Sequence, residues 1–282
     1  MLLIFLKTAY RNVIRSKTYS LINITGLAVG LASFILILLY LNYELSYDKW
    51  DVSLKKVYKI SARTDEDILT TTPAPLGSFL KQNSSQIEAA TTIQPAGDFE
   101  VLLSVDEKKI YQEGSIEADS SFFEVFPYKT LYGNAATALN KPNAIVITRE
   151  LSEKLFGNTN PVGKTIKIFN AIENEVTAVI QTLDKPSHLN VQFVWRSPYE
   201  KQNMSWENLS YHTYVKTRQV MPVEKLENEV DRIYYNERLK KDNQSFQNYR
   251  RAGHVAGLFV DAVQNLHNFP KHGSTNFSTV SE

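Results

Sequence analysis

The stretch TYSLINITGLAVGLASFILILLYLNY, residues 18–43, carries no charged side chain. Its inner part, Ile24–Tyr43, has twenty residues. As a helix rising about 1.5 Å per residue it spans about 30 Å, the thickness of a bilayer's hydrocarbon core. Leu27, Val29, Leu31, Leu41 and the run Phe34-Ile-Leu-Ile-Leu-Leu39 are strongly apolar. At about −0.5 kcal/mol each they favour insertion by about 5 kcal/mol before polar costs. Thr25 and Ser33 can bond back to the helix, and Asn42 falls near the interface. A cleaved signal peptide has a shorter apolar region that ends at small residues. Here the small residues Gly26, Ala28, Gly30 and Ala32 come first and the greasiest part follows. The reading is an uncleaved membrane helix over 21–43. Gly26/Gly30 and Ala28/Ala32, each pair four residues apart, form a close-approach pattern for helix packing in lipid.

The flanks orient that helix. Residues 1–20 hold Lys7, Arg11, Arg15 and Lys17 and no acid, while Glu44, Asp48 and Asp51 follow the helix. The positive-inside rule puts the N-terminus in the cytoplasm. Leu2, Leu3, Leu6, Tyr10, Val13 and Ile14 against Lys7, Arg11 and Arg15 make 1–20 a cytoplasmic amphipathic segment at the membrane surface. Over 282 residues the net charge is +1, which argues against phosphate-driven nucleic-acid binding. With no cysteine there are no disulfides, thiolate metal sites or thiol catalysis. Hydrophobic residues at 43% are enough for a packed core in the rest of the chain.

Beyond the helix no segment approaches 18 apolar residues, so the bulk is expected outside as one extracytoplasmic part. Residues 44–56 have few breakers and are expected to continue the helix as a stalk. Strands are expected at Val57–Arg63, Ala89–Ile93, Glu100–Val105, Lys109–Glu113, Ala144–Ile147, Val191–Trp195, Tyr211–Lys216 and Val255–Val263. Lys164–Phe169 and Glu175–Leu183 should pair as a hairpin turning near Glu173–Asn174. Helices are expected after Pro73 and Pro75 to about Gln82, over Ser120–Phe126 capped by Asp119 or Ser120, over Arg149–Phe156 between Thr148 and Gly157, and from Pro222 to about Lys240. Strand–helix–strand units near both ends, with a β-rich stretch between them, imply an α+β domain with a mostly β insertion.

Chemistry-bearing patterns are few. Gly157-Asn-Thr-Asn-Pro-Val-Gly163-Lys164-Thr165 imitates a phosphate loop, but five residues separate the glycines where four are needed. The loop also follows a helix and leads into a β-like run, the reverse of a strand-to-helix phosphate site. It reads as a turn. His188, His212, His254, His267 and His272 show no ligand spacing and read as surface or packing residues. Asp65-Glu66-Asp67 reads as a solvated loop. No Gly-x-Ser-x-Gly elbow exists, and no catalytic, metal or cofactor residue is assigned.

Taken together, LKTAYRNVIRSKTYSLINITGLAVGLASFILILLYLNYELSYDKW (6–50) with KKVYKI (55–60) resembles the first membrane helix of MacB-like, FtsX-like ABC transporter permeases. ADSSFFEVFPYKTLYGN (118–134) and LNKPNAIVITRELSEKLFGNTNPVGKTIKI (139–168) resemble the following core. There Phe156, Gly157, Pro161, Gly163 and Lys164 match the family's FG…P.GK signature. VTAVIQTLDKPSHLNVQFVW (176–195) and LFVDAVQNLH (258–267) resemble its later strand, Ser-His-Leu turn and end.

The resemblance implies an α+β periplasmic core with a porter-like βαβ subdomain at 57–114 and 190–268 and an inserted β-rich subdomain at 115–189. It implies a bacterial inner-membrane location and a mechanotransmitting permease component. ATP would enter only through a separate cytoplasmic ABC ATPase subunit. Other implied partners are a second copy or related permease, a periplasmic adaptor and an outer-membrane channel, with antibiotics, peptides or lipoproteins as cargo. An anchored binding or scaffold module is the alternative. Family members continue into three more membrane helices; here 269–282 is expected to be a tail leading toward a second helix that the sequence does not include.

Overall fold

A computed structural model describes residues 4, 10, 11, 15, 17–63, 68–97, 99–196, 205–240, 245–251 and 257–270. Most of the amphipathic segment 1–20, the Asp65-Glu66-Asp67 run and most of the tail 269–282 lie outside the described residues. The chain divides into residues Met1–Ser46 and a compact unit Tyr47–Glu282.

Helix α1, Lys17–Glu44, is long and apolar enough to cross a membrane, and none of its residues is buried. Apolar side chains surround it on all sides, as a lipid-facing helix requires. Thr25 Oγ1 donates back to Leu21 O at 2.7 Å, which hides its hydroxyl. The helix does not extend as a stalk. It ends at Glu44, Ser46 Oγ donates to Tyr43 O at 2.6 Å, and Asp48 takes a left-handed φ of 52°. A short 3-10 turn, Val52–Lys56, follows, with Ser53 N donating to Asp51 Oδ1 at 2.7 Å. Ser46 and Asp51 offer the backbone local alternatives to helix bonds, and these win over the absence of glycine and proline.

Strands β1 (Val57–Arg63), β2 (Ile68–Leu69) and β3 (Ile87–Pro95) come next, with helix α2 (Leu76–Asn83) before β3. At the other end are β12 (His212–Thr217), helix α6 (Val223–Tyr234) and β13 (Gly257–Ala262). These pair antiparallel in the order β13-β1-β12-β3. Two strand–helix–strand units interleaved in this way make a ferredoxin-like sheet. Both helices lie on one face. Leu76, Leu80, Leu226 and Val230 pack there on Tyr58, Ile60, Val215, Leu258 and Val260. Gly77 permits the approach of α2, since a Cβ there would sit 2.9 Å from Thr92 Oγ1.

The chain between β3 and β12 is β-rich. It contains β4 (Val101–Val105), β5 (Lys108–Gln112), β6 (Ser115–Ala118), helix α3 (Phe122–Val125), β7 (Thr130–Gly133), helix α4 (Ala135–Ala138), β8 (Ala144–Thr148), helix α5 (Arg149–Phe156), β9 (Thr165–Ile168), β10 (Ile172–Ile180) and β11 (Phe193–Trp195). The sheet runs on without interruption as β3-β6-β11-β8-β10-β9-β4-β5, with β2 beside β1 and β7 beside β10. Strand β4 pairs with β9, and β11 lies between β6 and β8. Asp119 Oδ1 accepts from Ser121 N at 2.8 Å at the start of α3, while its Oδ2 accepts from Thr92 N at 2.7 Å, pinning α3 to β3.

The β9–β10 hairpin turns at Phe169-Asn170, with φ of 52° and 57°, and Ala171 N donates to Ile168 O at 3.1 Å. Two successive left-handed residues are the hairpin geometry that matches strand twist. Asn174, near which the turn was expected, is a buried strand residue opposite Ile166.

Candidate functional site

The compact unit begins with a buried polar joint. Asp48, 1% exposed, is held by the loop that follows β10. Its amide donates to Pro186 O at 3.0 Å, and its Oδ1 accepts from Ser187 Oγ at 2.8 Å and from the His188 amide at 3.2 Å. His188 Nδ1 sits 2.9 Å from the same oxygen, without an aligned hydrogen bond. On the other side of the ring, His188 Nε2 lies 3.0 Å from Tyr214 Oη, on β12. Burial, with Asp48 nearby, pushes the Tyr214 phenol well above its ordinary range, so it stays neutral beside the imidazole. Tyr128 is pushed up for the same two reasons.

The same segment is tied to the end of the domain. Gln264 Nε2 donates to Asp48 O at 3.2 Å, and the Tyr47 and His267 rings stack with centroids 3.5 Å apart. Leu54, Leu189, Tyr214, Val263 and Leu266 share one core cluster, which keeps water from the joint. Three stretches far apart in sequence, 47–54, 185–189 and 263–267, therefore meet at one point. A polar stripe extends from it across the sheet face opposite the two helices. Lys59 lies in register with Tyr214 on one side and Asp261 on the other. Burial lowers the Lys59 amine to about 8, against the pull of Asp261. Burial, then the Lys59 charge, lowers His212 to about 3, so His212 is neutral and its Nδ1, 3.2 Å from Thr70 O, can donate there.

The signature residues behave differently. Phe156 closes α5, and Gly157 follows with φ of 66° and its amide on Glu153 O at 3.0 Å. Pro161 is buried. Gly163, φ 86°, donates to Val176 O at 2.8 Å, and the Lys164 amide donates to Pro161 O at 2.9 Å. Lys164 Nζ folds back to Thr159 Oγ1 at 3.2 Å and lies 5.2 Å from the Phe156 ring centroid. The Gly163 amide is spent on β10, and the Lys164 amide and ammonium on the loop itself. The signature is a self-closing turn that starts β9. Gly26, Ala28, Gly30 and Ala32 are exposed along α1, and nothing lies within 4 Å of a Cβ built on either glycine.

Asp48, Tyr214 and Gln264 are not legible as site residues from spacing. Only the Ser187-His188-Leu189 turn gave a hint, through the resemblance. His188 and His212 are buried, and the His267 ring is stacked. Among the described residues, no three His, Asp or Glu are grouped to hold a metal.

Among curated proteins none matches the sequence. Solved structures share the fold. A domain of a Porphyromonas gingivalis protein named as a permease matches with a TM-score of 0.57 and 16% identity, over 75% of this chain and 91% of its own. The periplasmic region of MacB from Actinobacillus actinomycetemcomitans matches with a TM-score of 0.51 and 16% identity, over 74% and 90%. The profile of the MacB-like periplasmic core domain covers residues 20–233, from within α1 to α6. With the membrane-type helix, the interleaved sheet and the sequence profile in agreement along most of its length, the chain belongs to the MacB-like periplasmic core domain family of ABC transporter permeases.

Proposed function

We propose that the chain is a permease component whose extracytoplasmic domain is moved by a separate cytoplasmic ABC ATPase, with α1 crossing the inner membrane and its N-terminus in the cytoplasm. The four basic residues before α1 and the acidic residues after it support that orientation. The observation that carries the mechanical reading is the joint at Asp48. The residues directly following α1 in sequence are bonded to His188 in the middle of the domain and to Gln264 at its end. A displacement of that segment would be passed to β12 through His188 and Tyr214. Packed networks with discrete partners transmit displacement because they cannot deform continuously. Cargo would be moved or released by this motion, among the antibiotics, peptides or lipoproteins that such permeases handle.

The test is reconstitution in nanodiscs with the cognate ATPase and the remaining permease segments of its system. Asp48→Asn keeps the side-chain volume and removes the charge that holds His188. Cargo movement per ATP hydrolysed should fall by about tenfold, the equivalent of about 1.4 kcal/mol of lost coupling, with assembly intact. Unchanged coupling in a folded variant contradicts the mechanical reading. Failure of the chain to engage any ABC ATPase contradicts the permease reading and favours an anchored binding or scaffold module.

A further inference from the structure

The sheet path ends on two edge strands, β13 and β5, and they are finished differently. Along β13, helix α6 supplies carboxylates to the outer amides: Leu258 N donates to Asp231 Oδ1 at 3.1 Å and Val260 N to Glu227 Oε2 at 3.2 Å. Capping of this kind stops an edge from pairing with another chain. Strand β5, Lys108-Lys-Ile-Tyr-Gln112, pairs among the described residues with β4 on one side only. On its inner face Ile110 packs against the core, Lys154 Nζ donates to Gln112 Oε1 at 3.0 Å, and Lys108 Nζ donates to the Lys154 carbonyl. Its outer face shows Lys109, Tyr111 and the next residue, Glu113, all exposed, with Tyr111 at 63%.

The order of charge along this edge selects its partner. A basic start and an acidic end make the strand complementary to itself when reversed. With Tyr111 on a two-fold axis, Tyr111 faces Tyr111 of the second copy, Ile110 faces Gln112, and Lys109 faces Glu113 in both directions. Residues directly opposite in an antiparallel pair share a face, so the two ion pairs flank a tyrosine pair on the solvent side. A parallel strand or a uniformly basic one would set like charges together. We infer that two copies of this chain pair antiparallel through β5, joining their sheets across the axis. So short an edge binds weakly in solution, and anchoring in one membrane supplies the effective concentration that it needs.

The test uses the full chain in nanodiscs holding two copies and exploits the absence of native cysteine. Opposed residues on the axis lie within disulfide range. Tyr111→Cys should therefore cross-link under mild oxidation about fivefold faster than Tyr132→Cys, an exposed control on β7. Lys109→Glu in the Tyr111→Cys background opposes like charges twice and should slow cross-linking about fivefold, and adding Glu113→Lys should restore it. Restoration by the second change excludes a folding defect as the cause. Equal rates at 111 and 132, or no response to Lys109→Glu, overturns the inference. Neither outcome bears on coupling to an ATPase, which is read separately through Asp48→Asn.

Discussion

Asp48 ties together stretches of the domain that are far apart in sequence. Its carboxylate is buried and accepts from the Ser187 hydroxyl and the His188 amide. Truncation to alanine leaves those donors facing apolar surroundings, so Asp48→Ala should destabilise the domain by about 1–3 kcal/mol for each donor left unpaired, read from urea unfolding of the full chain. The FG…P.GK residues make a contrasting prediction. Lys164→Ala removes an exposed cation–π contact and should cost about 0.5–1 kcal/mol. Gly163→Ala forces a β-carbon into a φ of 86° and should cost about 1–3 kcal/mol in the same assay. An order of effects with lysine above glycine would mean that the loop does more than turn. The sequence favours a turn here because the glycine spacing and helix-then-strand order exclude a phosphate site. It gives no sign of Asp48, because an acid just beyond a membrane helix looks like an ordinary solvated flank until the chain folds back on it.

Among elements, β12 joins the structural and functional parts. Thr213, Val215 and Thr217 alternate with His212, Tyr214 and Lys216, and the second set includes the polar stripe. His212 provides a pH signature. Its folded value of about 3 lies below the ordinary 6.5 because burial and the Lys59 charge oppose the imidazolium. The unfolded chain therefore binds the proton more readily, and the stabilisation is complete above pH 6.5 and lost as pH falls toward 3. Between pH 6 and 4.5 the unfolding free energy of the native chain should drop, relative to a His212→Asn variant, by about 1.4 kcal/mol per pH unit. Parallel curves for the two proteins would contradict the buried neutral imidazole. Strongly patterned elements such as β1, α5 and the start of α6 were legible to within a few residues, since alternation, Thr148 and Gly157 caps and Pro222 each have a local cause. The turn at Phe169-Asn170 was not, because a phenylalanine in left-handed backbone is unusual and Asn174 offered a plausible rival. The pairing of β4 with β9 was not legible either, as an alternating hairpin does not say which sheet edge will take it.

On the scale of the whole molecule, one sheet unites a ferredoxin-like end, where the chain enters and leaves, with a β-rich end carrying the FG…P.GK turn and the open β5 edge. The membrane-type helix is the most legible feature of the chain, because length and apolarity alone decide it. Its sequel is the least legible, since a straight stalk and a folded-back joint differ only in where three small polar side chains bond. The central claim is that this joint makes the domain follow the nucleotide state of an ATPase partner. Spin labels at Lys141→Cys, an exposed site on a chain without native cysteine, report the separation of two domains in a reconstituted complex by pulsed dipolar spectroscopy. The account predicts a shift of about 5 Å or more between nucleotide-free and ATP-trapped states, as rigid-body domain motions give, reduced to a fraction of that in Asp48→Asn. An identical distance distribution in both states, or a full shift in the folded Asp48→Asn variant, would contradict it.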